Sequence, residues 1–321
     1  MAAPVLITVY TRFNHLKGCV ESLQVNDLAA ETDLFIASDA PSKPEHQEVI
    51  QQIRDYVIGI QGFKSVNLFA WESNLGSSES ICKARMSIYQ TYDTQIFMED
   101  DNVVSPLFLR FMNDALTLYK DRANVFAVCG FNVNVQVPVK YPYDAYFMNF
   151  ISANGWATWK EKYFVFLKNY QLPDFKGKGF KAFSRHLEKS ANNLERMVKQ
   201  GTTWGDTKIT HYMFEKKMVC ILPCKSLVYN TGWDGSGEHC GKNESYSSLE
   251  INISKPVLQF PNDTTIYDGW LRTIRRFSKF PFLGKFKTAV YDWKIERKKD
   301  VATRGWRSRI QFFRIRFRCK T

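Results

Sequence analysis

Four short apolar runs, each followed by a polar turn and a helical pattern, constrain the fold of this chain more than any other feature. The runs are Val5–Tyr10, Leu34–Ala37, Val66–Ala70 and Gln95–Met98. Short apolar runs are typical of buried strands, whereas apolar residues repeated every third or fourth position are typical of helices. Strands that alternate with helices in this way predict parallel βαβ units. The expected fold class is therefore α/β, with a doubly wound, mostly parallel sheet.

The fourth run leads directly into three consecutive acids, Glu99, Asp100 and Asp101. Ser105-Pro106 then opens a helical pattern from Leu107 to Tyr119, so the acids fall where a buried strand ends. Open α/β sheets bind their ligands at this edge. Adjacent carboxylates repel one another unless a cation shares the site, and hard divalent metals prefer oxygen ligands. We predict a Mg²⁺ or Mn²⁺ site here, with a solvated acidic turn as the alternative.

The other apolar runs also end in polar residues, and the order of these turns is informative. Thr11-Arg12 follows the first run, Ser38-Asp39 the second, and Asn74-Leu75-Gly76-Ser77 the third. Together with the acid triplet, this order resembles the nucleotide-binding half of GT-A glycosyltransferases. Glu99-Asp100-Asp101 before Ser105-Pro106 resembles in particular the N-acetylglucosaminyltransferase I-like group. The resemblance covers residues 4–110 well and the remainder of the chain progressively less.

This resemblance implies a Rossmann-like GT-A fold that binds a nucleotide-diphosphate sugar through a divalent metal. It implies that Asp101 binds the metal and that Asp100 contacts the sugar or the ribose. The other donor-binding residues that it implies follow the first three strands: Thr11, Arg12, Asp39 and Asn74.

Two stretches of the second half contain candidate residues for the sugar, the acceptor and the base. Gly155 beside Trp156 allows a ring face to approach a flat ligand, and the segment resembles a Gly-Trp-x-Thr-Trp segment of bacterial glycosyltransferases. Trp156 and Trp204 are therefore the sugar or acceptor candidates, with a core role as the alternative, above all for Trp159.

The candidate catalytic base is Asp206, which lies near the start of a predicted helix over 208–217. A helix N-terminus favours an ionised carboxylate, although the same position suits an ordinary N-cap. Inverting GT-A enzymes, which the chain resembles, place their base at this kind of helix start. Glu215 and Asp234 are the reserve candidates.

A glycine-rich stretch, Thr231–Cys240, follows the last predicted strand. Asn230, Gly232, Gly235 and His239 resemble a loop in related glycosyltransferases whose histidine completes the metal or diphosphate site. His239 is therefore a second candidate metal ligand; a structural or surface histidine is the alternative.

The basic residues are concentrated at the C-terminal end. Residues 271–321 contain 17 Lys and Arg against three acids, whereas residues 1–270 contain 27 basic and 29 acidic residues. Aromatic residues alternate with these cations, a pattern that suits an anionic membrane surface. A single-stranded nucleic acid is the alternative partner, and a solvated basic helix is the neutral interpretation. We expect membrane contact and no nucleic acid.

The predicted organisation is a GT-A catalytic domain over 1–265, with a nucleotide half over 1–110 and a sugar and acceptor half over 111–265, followed by a basic aromatic helical extension over 266–321. The N-terminus lacks the pattern of a signal peptide, and seven scattered cysteines favour reduced thiols. We therefore expect a cytoplasmic protein, peripheral to the inner face of the membrane.

These observations predict a metal-dependent, inverting glycosyltransferase that transfers a sugar, from a UDP-sugar in preference, to a glycan or lipid-linked acceptor in bacterial surface polysaccharide or lipopolysaccharide assembly. A sugar nucleotidyltransferase is the second hypothesis, but the turn Thr11–His15 lacks the expected glycines. A non-catalytic module that binds glycan or nucleic acid is the third, and the intact acid triplet argues against it.

Overall fold

The structure is a computed structural model, and it describes residues 1–132, 135, 137, 140–201, 205–235 and 257–266. The strands are Val5–Val9 (β1), Asp33–Ser38 (β2), Ser65–Ala70 (β3), Thr94–Glu99 (β4), Asn102–Val104 (β5), Val125–Cys129 (β6), Ala145–Met148 (β7), Trp156–Trp159 (β8), Val219–Pro223 (β9) and Val228–Asn230 (β10). The α-helices are Phe13–Gln24 (α1), Gln47–Ile58 (α2), Gly76–Ile88 (α3), Phe108–Leu118 (α4), Lys160–Asn169 (α5), Lys178–His186 (α6), Glu188–Gln200 (α7) and Gly205–Glu215 (α8).

Eight strands form one sheet in the order β3-β2-β1-β4-β8-β6-β9-β7. The first four strands are mutually parallel, β8 is antiparallel to β4 and β6, and β7 is antiparallel to β9. The predicted α/β class with a mostly parallel, doubly wound sheet is thus confirmed. Strand order reverses after β3, so right-handed crossovers put α1 and α2 on one face and α3 on the other.

A second sheet contains only β5 and β10, which pair antiparallel. This pairing places Asn230 opposite Asn102, directly beside the acid triplet. Two residues of very different sequence position therefore meet at the carboxyl edge of the large sheet.

The core is formed by the strands and the inward faces of the helices. Val5, Leu6, Ile7, Leu34 and Ile36 have no measurable exposure, because the central strands are covered on both faces. The segment 257–266 packs on this core: the Tyr119 hydroxyl donates to the Pro261 carbonyl at 2.6 Å.

Several predicted element boundaries were wrong. The polar turn Asn74-Leu75-Gly76-Ser77 already contains the start of α3 at Gly76, and the helix predicted over 208–217 is α8, Gly205–Glu215. The helical residues between 178 and 200 form two helices, α6 and α7, separated at Leu187. Leu187 has φ −133° and ψ 64°, which is not helical. No helix in the described ranges is both long enough and apolar enough to cross a bilayer.

The predicted domain boundary at 265 remains a prediction. The described residues all lie within one compact unit, Met1–Arg272, and nearly all of the basic extension over 266–321 lies outside the described residues.

Candidate functional site

The carboxyl ends of β1 and β4 bring Arg12 against the acid triplet. These strands pair in parallel, with Thr8 opposite Glu99, so the turns that follow them are neighbours. The Arg12 guanidinium donates from Nε to Asp100 Oδ2 at 3.2 Å, makes a second contact to Asp100 through Nη2, and lies 2.9 Å from Asp101 Oδ2 through Nη1. A nucleotide candidate and two acid candidates thus form one cluster.

Asp101 is fixed by neighbouring amides. Its Oδ1 accepts hydrogen bonds from Asn102 Nδ2 at 2.8 Å and from Asn230 Nδ2 at 3.0 Å. The backbone carbonyl of Asp101 accepts from Thr231 N at 2.8 Å. A Cβ atom added at Gly232 would lie 2.2 Å from Asp101 Oδ2, so only glycine fits here with the carboxylate in this position.

The acids of the triplet differ in their pKa values. Burial raises the pKa of Asp100 to about 6, although the Arg12 guanidinium favours the ionised form. Burial raises the pKa of Glu99 to about 8, and the charges of Asp101, Asp100 and Asp206 add to the rise. At neutral pH Glu99 is therefore mostly protonated, which lowers the negative charge that the cluster must accommodate.

Asp206 lies close enough to Glu99 for its charge to raise the pKa of that carboxyl. It occupies the first turn of α8, where its Oδ1 accepts from the Thr207 backbone N at 2.7 Å and from Thr207 Oγ1 at 3.3 Å. Burial raises the pKa of Asp206, and the two bonds from Thr207 oppose the rise. The charge of Asp206 thus acts on Glu99, although the two residues are more than one hundred positions apart in the sequence.

The two reserve acids are placed differently. Glu215 is the last residue of α8 and lies 3.8 Å from His211 Nε2, nine positions after Asp206 and therefore about 14 Å along the helix. Asp234 Oδ2 lies 3.2 Å from His15 Nε2.

Asp39 and Asn74 hold the start of α3. Asp39 Oδ1 accepts from the backbone N–H groups of Ala40 and Leu75 at 2.9 Å, and its Oδ2 accepts from Gly76 N at 2.8 Å. Asn74 Nδ2 donates to the Ala40 carbonyl at 2.6 Å. Asp39 therefore satisfies free N–H groups at a helix N-terminus; its contact with a nucleotide remains a prediction, as do those of Thr11 and Asn74.

Trp156 and Trp159 lie in β8, between β4 and β6, and both are buried. Trp159 Nε1 donates to the Leu116 carbonyl at 3.1 Å, as expected of a core residue. Trp156 lies opposite Phe97 and follows Asn154-Gly155, and Asn154 Oδ1 accepts from Asn230 Nδ2 at 3.0 Å. Trp204 and His239 lie outside the described residues.

Arg85 is a residue that the sequence analysis missed. This α3 side chain is 3% exposed, and its guanidinium carbon lies 4.7 Å from the Trp156 ring centroid, 4.6 Å from that of Tyr163 and 5.1 Å from that of Phe97. Its Nε is buried without a hydrogen-bond partner among the described residues. Such groups are rare and cluster at functional sites. The sequence did contain a signal. Arg85 lies on the face of α3 that otherwise buries small and apolar residues.

Asp100 and Asp101 suit a divalent metal whose other ligands would come mainly from the substrate phosphates. Asp101 offers a hard carboxylate oriented by two amides, which suits Mg²⁺ or Mn²⁺. The described residues contain no group of three or more His, Cys, Asp and Glu side chains arranged around one point. Mg²⁺ is commonly bound by one or two carboxylates together with substrate phosphates, and Asp101 with Asp100 matches that mode.

No family model matches the chain, and no curated protein matches it. Among solved structures, TarS 1–349 from S. aureus is similar over 72% of this chain and 61% of its own, at 12% identity and a TM-score of 0.41. The same protein in complex with UDP-GlcNAc is similar over 54% and 49%, at 14% identity and 0.36. Mannosyltransferase PcManGT from Pyrobaculum calidifontis, in complex with GDP-Man and Mn²⁺, is similar over 66% and 68%, at 10% identity and 0.38. The chain thus spans less than two thirds of the length of TarS 1–349.

Proposed function

We propose that this protein is a glycosyltransferase that moves a sugar from a nucleotide-diphosphate donor to a hydroxyl group of a glycan or lipid-linked acceptor. The observation that carries the proposal is the contact of Arg12 with Asp100 and Asp101 at the carboxyl edge of the sheet, next to Glu99, whose pKa the charge of Asp206 also raises. Such an edge is the usual ligand site of doubly wound folds. Acids of unequal pKa at one site are suited to separate roles.

On the donor side of the site, the negative charge of the diphosphate must be neutralised. A diphosphate leaving group needs a cation, and Asp101 with Asp100 would hold a Mg²⁺ or Mn²⁺ ion that neutralises the diphosphate when bound. Arg12 balances the two carboxylates and provides a second cation beside the donor. Thr11, Asp39 and Asn74 are the proposed contacts to the nucleoside, and His239 is a proposed further metal ligand.

On the acceptor side of the site, the reaction requires removal of a proton from the acceptor hydroxyl. Asp206 removes the proton from the acceptor hydroxyl while the acceptor oxygen bonds to the anomeric carbon. The bond from that carbon to the diphosphate oxygen breaks, and its electron pair leaves with the diphosphate. A base opposite the leaving group predicts inversion of configuration. Glu99 is mostly protonated at neutral pH because its pKa is about 8, so Asp206 rather than Glu99 is the proposed base.

A bacterial surface glycan or lipopolysaccharide is the proposed setting, with the enzyme at the cytoplasmic face of the inner membrane. The basic aromatic segment over 266–321 is the proposed membrane contact; residues 267–321 lie outside the described residues. A non-catalytic module is disfavoured because buried, mutually repelling carboxylates with pKa values raised to about 6 and about 8 are costly without a chemical use.

Isothermal titration with UDP and with GDP, each with and without Mn²⁺, tests the proposal. One nucleotide should bind only with metal, and Asp101→Ala should abolish the binding. Asp206→Asn should retain it, because Asp206 acts on the acceptor. The proposal fails if neither nucleotide binds with metal present, or if Asp101→Ala binds as tightly as the natural protein.

A further inference from the structure

Helix α5 presents an apolar face to solvent. Phe164 is 37% exposed, Val165 45% and Leu167 47%, and Leu172 in the following turn is 52% exposed. Only Phe166 of this helix is buried, where its ring packs on Tyr212 at a centroid distance of 5.2 Å. Isolated exposed apolar residues are common, but four within nine positions form a patch of the kind that marks an interaction site.

The stretch 160–185, which contains this patch, is basic and largely exposed. Apart from Lys162, its basic residues are Lys160, Lys168, Lys176, Lys178, Lys181 and Arg185, and its acids are Glu161 and Asp174. The first 270 residues as a whole contain two more acids than bases, so this surplus is local. Lys162 does not contribute to it, because its Nζ donates to three backbone carbonyls, including that of Val125 at 2.7 Å.

A groove lies on α6, in the same stretch of the chain as the patch. It has a volume of about 610 Å³ and is lined by Phe175, Phe180, Lys181, Ser184, Arg185 and Glu195. The Phe175 and Phe180 rings meet edge to face at 4.8 Å, so the floor is aromatic. Lys181 and Arg185 are one helical turn apart at the rim. We use the name α5–α6 surface for three features together: the four exposed apolar residues, the exposed basic residues of the stretch 160–185, and this groove.

We propose that the α5–α6 surface binds an anionic phospholipid bilayer. Exposed aromatic and aliphatic side chains beside surface cations suit the boundary between headgroups and acyl chains, where rings insert and lysines meet lipid phosphates. The groove is lined by two aromatic rings, two cations and one acid, Glu195, whose carboxylate pairs with Lys199 at 2.8 Å. Such a lining fits a headgroup phosphate. A second copy of the chain fits worse, because a two-fold contact would place six cations against six cations.

Vesicle flotation of the full chain tests this proposal without any donor or acceptor. Phe164→Ser/Leu167→Ser/Leu172→Ser should reduce the fraction bound to vesicles of phosphatidylcholine with phosphatidylglycerol by roughly tenfold, because binding follows the apolar area buried. Lys176→Glu/Lys178→Glu/Lys181→Glu should cause a similar loss that high salt masks. All variants keep residues 266–321, so any difference reports on the α5–α6 surface.

The control is the triple variant Val25→Ser/Ile58→Ser/Leu118→Ser. It removes three apolar residues that are 65%, 78% and 47% exposed, more than the α5 residues as a set, from the ends of α1, α2 and α4. This variant should bind vesicles as the natural protein does. Equal binding by the α5 variant and the natural protein would overturn the proposal, as would equal losses in the α5 variant and the control. A change in oligomeric mass by light scattering, with vesicle binding intact, would assign the surface to self-association instead.

Discussion

At the scale of single residues, the site depends on how four acids share a small volume. Arg12 neutralises part of the charge of Asp100 and Asp101 by direct contact. Glu99 holds its proton at neutral pH because its pKa is about 8. In the proposed mechanism, Asp206 is therefore near one neutral acid and a balanced pair rather than three anions, which favours its role as the proposed base.

The Thr207 hydroxyl tunes that base. It donates to Asp206 Oδ1 at 3.3 Å and lowers the carboxyl pKa against the effect of burial. Thr207→Val removes this donor and keeps the side-chain shape, so the pKa of Asp206 should rise. A base works only when deprotonated, so the rate falls as pH falls through this pKa. The acid limb of the kcat/KM profile should therefore move to higher pH in the variant.

Thr210→Val is the control for this prediction. Thr210 lies on the same helix, and its Oγ1 accepts from the Ile151 backbone N at 3.5 Å rather than contacting Asp206. Its pH profile should keep the natural acid limb even if the rate changes. An unmoved limb in Thr207→Val would exclude Asp206 as the group that titrates in catalysis.

At the scale of elements, the turn after β10 restricts the position of Asp101, the candidate metal ligand. A methyl group at Gly232 would overlap Asp101 Oδ2 and crowd Arg12 Nη1 at 3.1 Å. Gly232→Ala should therefore displace the Asp101 carboxylate and weaken metal-dependent nucleotide binding by at least roughly tenfold, since each misplaced charge contact is worth 1 kcal/mol or more. Titration calorimetry measures this loss.

Gly179→Ala provides the comparison. Nothing lies within 4 Å of an added Cβ at Gly179, and this residue is in helix α6, where alanine is favoured over glycine. Its thermal midpoint should hold or rise slightly and its nucleotide affinity should be unchanged. If Gly232→Ala also binds normally, the close approach of this turn to Asp101 is not required for the site.

The strands of the first half were predictable because each is a buried apolar run bounded by polar turns; β1 to β4 match the predicted runs to within one residue at each end. β7 and β8 were not recognised. Each has only four residues, and pairing with strands distant in sequence determines their conformation. Trp156 stands opposite Phe97 of β4, a relation that local periodicity cannot show.

The site was predictable where neighbouring parallel strands end together. That rule placed Arg12 near the acid triplet. The rule could not predict the hydrogen bonds that Asn230 makes with Asp101 and with Asn154. These partners are 129 and 76 positions from Asn230, and the pairing of β10 with β5 positions Asn230. Arg85 escaped notice because an arginine in a helix is ordinarily solvated, and only the packing of α3 shows it to be buried.

At the scale of the whole molecule, Arg85 joins the two predicted halves. It projects from α3, whose start is held by Asp39, and its guanidinium lies against Trp156 of β8 and Tyr163 of α5. Attraction to aromatic faces offsets part of the cost of burial. The buried Nε still has no acceptor among the described residues, so stability alone does not account for an arginine at this position.

Arg85→Met should therefore leave the thermal midpoint unchanged or raise it, because methionine fills a similar volume without a buried charge. Hydrolysis of the donor identified by titration should fall at least roughly tenfold if the guanidinium holds Trp156 for the sugar. Arg54→Met is the contrasting variant: Arg54 Nη2 donates to the carbonyls of Ser38, Asp39 and Trp71, the last at 2.9 Å, so its loss should lower the midpoint. A midpoint that falls as far in Arg85→Met as in Arg54→Met, with hydrolysis intact, would make Arg85 a structural link between the halves and remove it from the site.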